Sequence, residues 1–379
     1  MISLDGKVHD AERLKELQAL PLERKIQITQ TRIIEWYQHY NGNVCVSFSG
    51  GKDSTVLLHI ARQIYPDIHA VFSNTGLEYP EIQKFVRGFE NIDIVVPEMK
   101  FKQVLTEYGY PLISKEVAET IHYARRTSGS GATGKQIKYR NELLGKRVFN
   151  GGSSMYNKER WYPLAEKLPA RIHAYCCAKM KKAPIKKYQK RQRFKPMLAT
   201  MASESLRRKQ AWIRNGCNAF DSTDQKSTPM AFWTEQDVLA YIVKYGIEIA
   251  SVYGDIVSVD RDGLTYPPMD LIGETRPNLK CTGCERTGCI FCGFGFHNEK
   301  GETRFQRLAR THPRQYEYCM GGGQWADNPD YDPTAPEMDG EWKNWNPKKI
   351  WIPSDTGLGM KVLFDMVNEI YGKDFYRYE

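Results

Sequence analysis

No stretch of the 379 residues is apolar and long enough to cross a membrane, and Met1 to Lys25 is charged, without the apolar core of an export signal. A cytoplasmic protein with no membrane partner is therefore expected. No segment repeats at a fixed period, which excludes a solenoid or propeller. Acid is missing from Lys179 to Lys195, where nine Lys or Arg residues stand together. A solvated helix face explains such a run, and so does a surface that meets a polyanion. With a net charge of +9, the chain as a whole suits an anionic partner. Nine cysteines without an export signal point to metal or redox chemistry before disulfides. A hydrophobic content of 41% suffices for a sizeable core, in two or three domains or one decorated domain.

The Walker spacing G-x-x-x-x-G-K-[ST] is also lacking, yet a phosphate loop of another order is present. Val44 to Phe48 reads as a buried strand. Gly50-Gly51 follows, and Val56, Leu57, Ile60, Ala61 and Ile64 then fall on one helical face. Two glycines between strand and helix let the backbone turn tightly, and the free N–H groups of the helix start face negative charge. Lys52 and the hydroxyls of Ser47, Ser49 and Ser54 add donors. His69–Phe72 and Ile92–Val96 are further strands, the first running into Asn74-Thr75-Gly76. Strands alternating with helices predict a doubly wound α/β fold with a mainly parallel sheet, its ligands at the carboxyl ends of the strands.

Elsewhere, residues 10–41 carry a helical pattern built on Ile26, Ile28, Ile33, Ile34, Trp36 and Tyr37. Thr127 to Gly134 is a small-residue loop, and Thr234 with Asp237 caps a helix. After Gly321 the composition predicts an irregular wrap closed by a helix over 360–370. These readings give four successive segments: a helical one over 1–42, the nucleotide-binding domain over 43–250, a cysteine-rich segment over 251–320 and the wrap over 321–379.

Cys281, Cys284, Cys289 and Cys292 place four thiols within twelve residues. Zinc ribbons separate their Cys pairs by a dozen or more residues, so the crowding here favours a [4Fe–4S] cluster over zinc. Cys176 and Cys177 form a tandem pair just ahead of a basic run that would favour the thiolate.

On these residues the chain resembles the PP-loop ATP pyrophosphatases and, within them, the phosphoadenosine phosphosulfate (PAPS) reductase family. The likeness rests on Ser47–Ser54, Ser73–Glu81, Cys176-Cys177 with Lys181 and Pro184, Ser203–Arg208, Trp233–Ile242 and Arg286–Cys292. It implies a sheet of the adenine nucleotide alpha hydrolase type with a cysteine-rich extension, and a pyrophosphate cradle of Gly50, Gly51 and Ser54. Lys52 would offset charge on the leaving group and Asp53 would help hold Mg²⁺. Asn74, Thr75 and Gly76 would face the adenosine, and Arg208 with Arg207 the α-phosphate, oriented by Glu204. Glu204 and Arg208, at i and i+4, equally suit a structural ion pair. In the iron–sulfur members a tandem Cys pair and a later Cys-x-x-Cys hold the cluster. This implies Cys176, Cys177, Cys289 and Cys292, with Cys284 and Cys281 competing.

Two departures bear on the activity. The attacking cysteine of the sulfonucleotide reductases is absent from Tyr376-Arg377-Tyr378-Glu379, and the loop keeps the form of the ATP-cleaving members. The expectation is an ATP pyrophosphatase that adenylylates an acceptor for sulfur transfer, with tRNA, DNA and a small molecule all open as acceptor and a cysteine desulfurase as donor. The rivals are a reductase using Cys319 or Cys217, and a nucleic-acid-binding module with a regulatory nucleotide site.

Overall fold

The computed structural model describes residues 9–126, 133–149, 151–268 and 278–379. The small-residue loop expected over 127–134 thus lies, but for its last two residues, outside the described residues. The chain forms two compact units, each drawing on two stretches: residues 1–97 with 181–288, and residues 98–180 with 289–379. The four successive segments expected from composition are not the units in which the chain packs.

The first unit is built on a four-stranded parallel sheet of β1 (Val44–Ser47), β2 (Ala70–Ser73), β3 (Ile92–Val95) and β4 (Lys195–Met197), in the order β3-β2-β1-β4. Register pairs Val46 with Ala70 and with Met197. Alternation sends Cys45 and Val71 to one face, where they pack with Tyr188 of the basic helix Ala183–Gln192. Val44, Val46, Ala70 and Phe72 turn to the other face, and all four are buried. The chain adds β2 and β3 on one side of β1 and β4 on the other, so the strand order reverses beside β1. In open α/β sheets that reversal opens a crevice at the carboxyl end, which is where the loop after β1 begins.

The helix Lys52–Ile64 follows that loop, and helices Leu22–His39 and Glu235–Tyr245 pack on it. Of its predicted apolar face, Val56, Leu57, Ile60 and Ala61 are fully buried. A buried ion pair ties the two neighbours together: the Lys25 ammonium donates to Asp237 at 2.5 Å and to the Gln18 carbonyl at 2.7 Å. Asp237 is at the same time the reciprocal partner of Thr234 in the capping box that starts its helix. A small antiparallel sheet of Ile256–Val259, Thr265–Tyr266 and Asn278–Cys281 completes this unit.

The second unit is mainly helical, with helices Phe101–Tyr108, Lys115–Arg125, Gly134–Leu143, Arg304–Thr311, Pro313–Met320 and Met360–Tyr371. Its aromatic core stacks Phe296 on Tyr376 at 4.2 Å, with Phe305 edge-on to Phe296 and to Phe364. The buried Arg125 guanidinium donates to the carbonyls of Leu164, Ala165, Leu168 and Ala170 and so stitches a loop to its helix. The expected irregular wrap after Gly321 contains two short antiparallel ribbons, Gln324–Asp327 with Lys349–Ile352 and Met338–Asp339 with Trp342–Lys343. Trp325 opposite Trp351 supplies the cross-strand pair that a composition rich in Gly and Pro conceals.

Candidate functional site

The loop after β1 is closed by its own side chains. Ser54 accepts from the Ser49 backbone N–H at 3.1 Å, shares a hydrogen bond with the Ser49 hydroxyl at 3.0 Å and donates to the Gly51 carbonyl at 2.9 Å. Gly50 has φ +70°, and a Cβ there would lie 2.7 Å from a Val86 methyl and 2.8 Å from one of Ile82. Only glycine fits both that dihedral and that space. Gly51 begins the helix, and the next N–H, that of Lys52, donates to the Tyr253 hydroxyl at 3.3 Å. Tyr253 is buried, which pushes its phenol up to about 12, and its hydroxyl pairs with that of Thr287 at 2.6 Å. Neither residue was expected at the site. Both arrive from 200 or more positions downstream; no motif marks Tyr253, and Thr287 lies in the Arg286–Cys292 stretch, which was read for its cysteines.

Lys52 is buried, and its ammonium is held by Glu235 at 2.6 Å and by the Glu285 carbonyl. Asp53 differs. One of its carboxylate oxygens is buried without a hydrogen-bond partner. Burial raises its pKa above the ordinary carboxylate range, Lys52 opposes that rise, Glu235 adds to it, and Arg286 and Arg208 oppose it. A buried carboxylate oxygen with no hydrogen-bond partner is balanced by a proton or by a cation, and Mg²⁺ is a cation that Asp53 would hold. Ser47 is half-buried at the end of β1, and Ser49 is exposed at the crevice.

At the end of β2, the Thr75 hydroxyl donates to Glu78 at 2.7 Å and accepts from the Leu77 N–H. Asn74 accepts from the Gly76 N–H at 3.2 Å, and Gly76 has φ +73°. Side chains that sequence reading aimed at adenosine thus fold the loop itself, leaving its backbone as the face toward a ligand. Glu204 and Arg208 form an ion pair, and Glu204 also accepts from the Met201 N–H at 3.0 Å. Arg208 remains within electrostatic reach of Asp53 and Arg286, so the pair braces a cation toward the loop. Arg207 is exposed.

The six cysteines divide between the units. Cys281 and Cys284 lie in the first, both buried, Cys281 at the end of a strand opposite Ile256 and Cys284 donating its N–H to the Val252 carbonyl. Cys176, Cys177, Cys289 and Cys292 all lie in the second. There the Cys176 thiol is hydrogen-bonded to Cys177, and that bond, burial, and the charges of Cys177, Cys292 and Cys289 drive its pKa far up. Burial also raises Cys292, while Arg304 and Lys115 pull it down. Among the described residues no three His, Cys, Asp or Glu side chains converge tightly enough for a single metal ion. Cys176, Cys177, Cys289 and Cys292 stand on two short segments of one unit, and Cys176 lies within electrostatic reach of the other three. The alternative nucleophile Cys319 is fully buried, 3.4 Å from the Met360 sulfur, and burial lifts its thiol well above the ordinary range. Cys217 is buried as well.

Residues 43–131 match the family model described as the phosphoadenosine phosphosulfate reductase domain. An uncharacterized protein of Methanocaldococcus jannaschii is 28% identical over 109 residues, a span covering 28% of this chain and 26% of that relative. The chain therefore aligns with about a quarter of that relative's length. Among the described residues no helix is long and apolar enough to cross a membrane. By the match and by the parallel sheet that carries the glycine loop, residues 43–131 are similar to the phosphoadenosine phosphosulfate reductase domain.

Proposed function

We propose that this protein is an ATP pyrophosphatase that activates an acceptor for sulfur transfer. The acceptor oxygen attacks the α-phosphorus of ATP, pyrophosphate leaves, and sulfide-level sulfur then displaces AMP. One observation carries the reading: Ser49–Ser54 forms a closed glycine loop at the strand-order reversal, with an unpartnered Asp53 oxygen inside it. Gly50, Gly51 and Ser54 cradle the pyrophosphate through backbone N–H groups and a hydroxyl. Asp53 holds Mg²⁺, Lys52 leaves Glu235 for the phosphates as leaving-group charge grows, and Arg208 with Arg286 faces the α-phosphate. Cys176, Cys177, Cys289 and Cys292 would hold a [4Fe–4S] cluster: ligated by all four it would serve an electronic or structural role, and ligated by three it would leave one iron open to bind and polarise sulfur. A cysteine desulfurase is the fitting donor.

The test is pyrophosphate release from ATP by anaerobically purified protein, wild type beside Asp53→Ala, with and without bulk tRNA or DNA. Asp53-dependent release supports the reading, and its absence under every condition overturns it. The description of the matched family favours a second reading, a sulfonucleotide reductase. Sulfite release from PAPS in the presence of thioredoxin would establish it, although the burial of Cys319 and Cys217 leaves it without an accessible attacking thiol among those two.

A further inference from the structure

The second unit contains a cavity of about 1040 Å³ that the reaction above does not use. Its size is at the upper end for small-molecule sites, which run from about 300 to 1,000 Å³, and is far more than a single oxyanion needs. Four arginines line it, and three are committed. Arg125 is spent on four carbonyls, Arg140 on Asp339 and the Ala124 carbonyl, and Arg171 on Asp330 at 2.5 Å. Arg126 is exposed and makes no ion pair among the described residues, so it offers a cation to a mobile anion.

Opposite chemistry surrounds that cation. Tyr108 and Tyr175 meet edge to face at 5.2 Å, and Trp345 lies beyond them with Arg125 over its ring at 4.4 Å. His122 in the wall touches His173 at 3.9 Å, and His173 is buried with neither ring nitrogen hydrogen-bonded. Glu107 and Asp332 stand in the lining as acceptors, which would repel phosphate from their part of the wall and take hydrogen bonds from base amines. Tyr175 also opens the helical turn Tyr175–Cys177, so an occupant of the cavity lies beside the cysteine pair.

We propose that this cavity binds a nucleotide of a single-stranded nucleic acid, with its phosphate on Arg126 and its base against Tyr108 and Tyr175. Aromatic faces beside a free guanidinium are the elements by which unpaired bases are held. The inference names the acceptor for the sulfur-transfer reading and rests on that reading for the chemistry, though not for the binding.

The experiment uses the full chain and measures fluorescence anisotropy of 5′-fluorescein-labelled single-stranded RNA and DNA oligonucleotides of mixed sequence across a salt series. Arg126→Glu is expected to weaken binding at least about tenfold and to lower the slope of log affinity against log salt by about one. Tyr108→Leu is expected to weaken it without changing the slope, and Lys190→Glu with Arg191→Glu, in the basic helix of the first unit, to leave it unchanged. Circular dichroism checks each fold, and Arg126→Ala stands in where the charge reversal does not fold. No oligonucleotide binding by folded protein overturns the proposal, as does binding lost only with the Lys190 and Arg191 changes. Displacement of the oligonucleotide by AMP or inorganic phosphate at equal concentration also overturns it, in favour of a small-anion site. Failure here with Asp53-dependent pyrophosphate release intact refutes the cavity alone; binding without that release refutes the ATP reading alone.

Discussion

Replacing Glu235 with Gln tests whether Lys52 is a phosphate ligand held in reserve. In the free protein the Lys52 ammonium sits 2.6 Å from a Glu235 oxygen, with the lysine 5% and the glutamate 44% exposed. ATP must compete for that ammonium and must also approach the carboxylate. A pair with one partner so open to solvent contributes about 0.2–1 kcal/mol. Removing the charge while keeping the shape should therefore tighten ATP binding by up to about fivefold, since about 1.4 kcal/mol corresponds to tenfold. The gain should shrink as salt screens the pair. Titration calorimetry with ATP and Mg²⁺, at low and at physiological salt, reads both effects. Unchanged or weaker binding by Glu235→Gln would refute the reasoning and make Glu235 a ligand of the bound nucleotide or its metal.

Four further outcomes are expected. Gly50→Ala puts a methyl into the Val86 and Ile82 methyl groups at a positive φ; it should cost about 1–3 kcal/mol in urea unfolding and abolish nucleotide binding. Lys25→Met strands the buried Asp237 carboxylate and should cost about 3–5 kcal/mol, most of it recovered in the double variant with Asp237→Asn, which keeps the cap acceptor. Asp53→Asn should stabilise the protein at neutral pH: burial raises the folded-state pKa, so the penalty on the charged form is present above that pKa and fades as pH falls through it. Thermal melts at neutral and acid pH check this, a larger gain in acid being the contrary result. Cys177→Ser and Cys292→Ser should each lose the visible absorption and paramagnetic signal of anaerobically reconstituted protein, and Cys281→Ser should keep them.

The strands and helices around the loop are legible because their signals are local. Val44–Phe48, the 56–64 helical face and the Thr234–Asp237 cap each sit within a dozen residues, where periodicity and capping chemistry decide the structure. The partners of Lys52 are not legible, because Glu235, Tyr253 and the Glu285 carbonyl reach the loop through tertiary packing across some 200 positions. The family resemblance aims Thr75 at adenosine; Glu78, three residues on, takes its hydroxyl's hydrogen bond. The tight spacing of Cys281 to Cys292 suggested one cluster of four, yet the boundary between the units falls between Gly288 and Cys289. Spacing along the chain carries no record of that boundary.

The interleaving of the two units orders events during synthesis on the ribosome. Strands β1 to β3 emerge early, but β4, which covers the open side of β1, follows only after residues 98–180, which belong to the other unit. That other unit in turn waits for residues after 288, among them Tyr376, whose hydroxyl accepts from the Ile113 N–H at 2.9 Å. Each half-built unit must therefore persist with an exposed apolar face while its complement is made, and that interval is when a chaperone has something to hold.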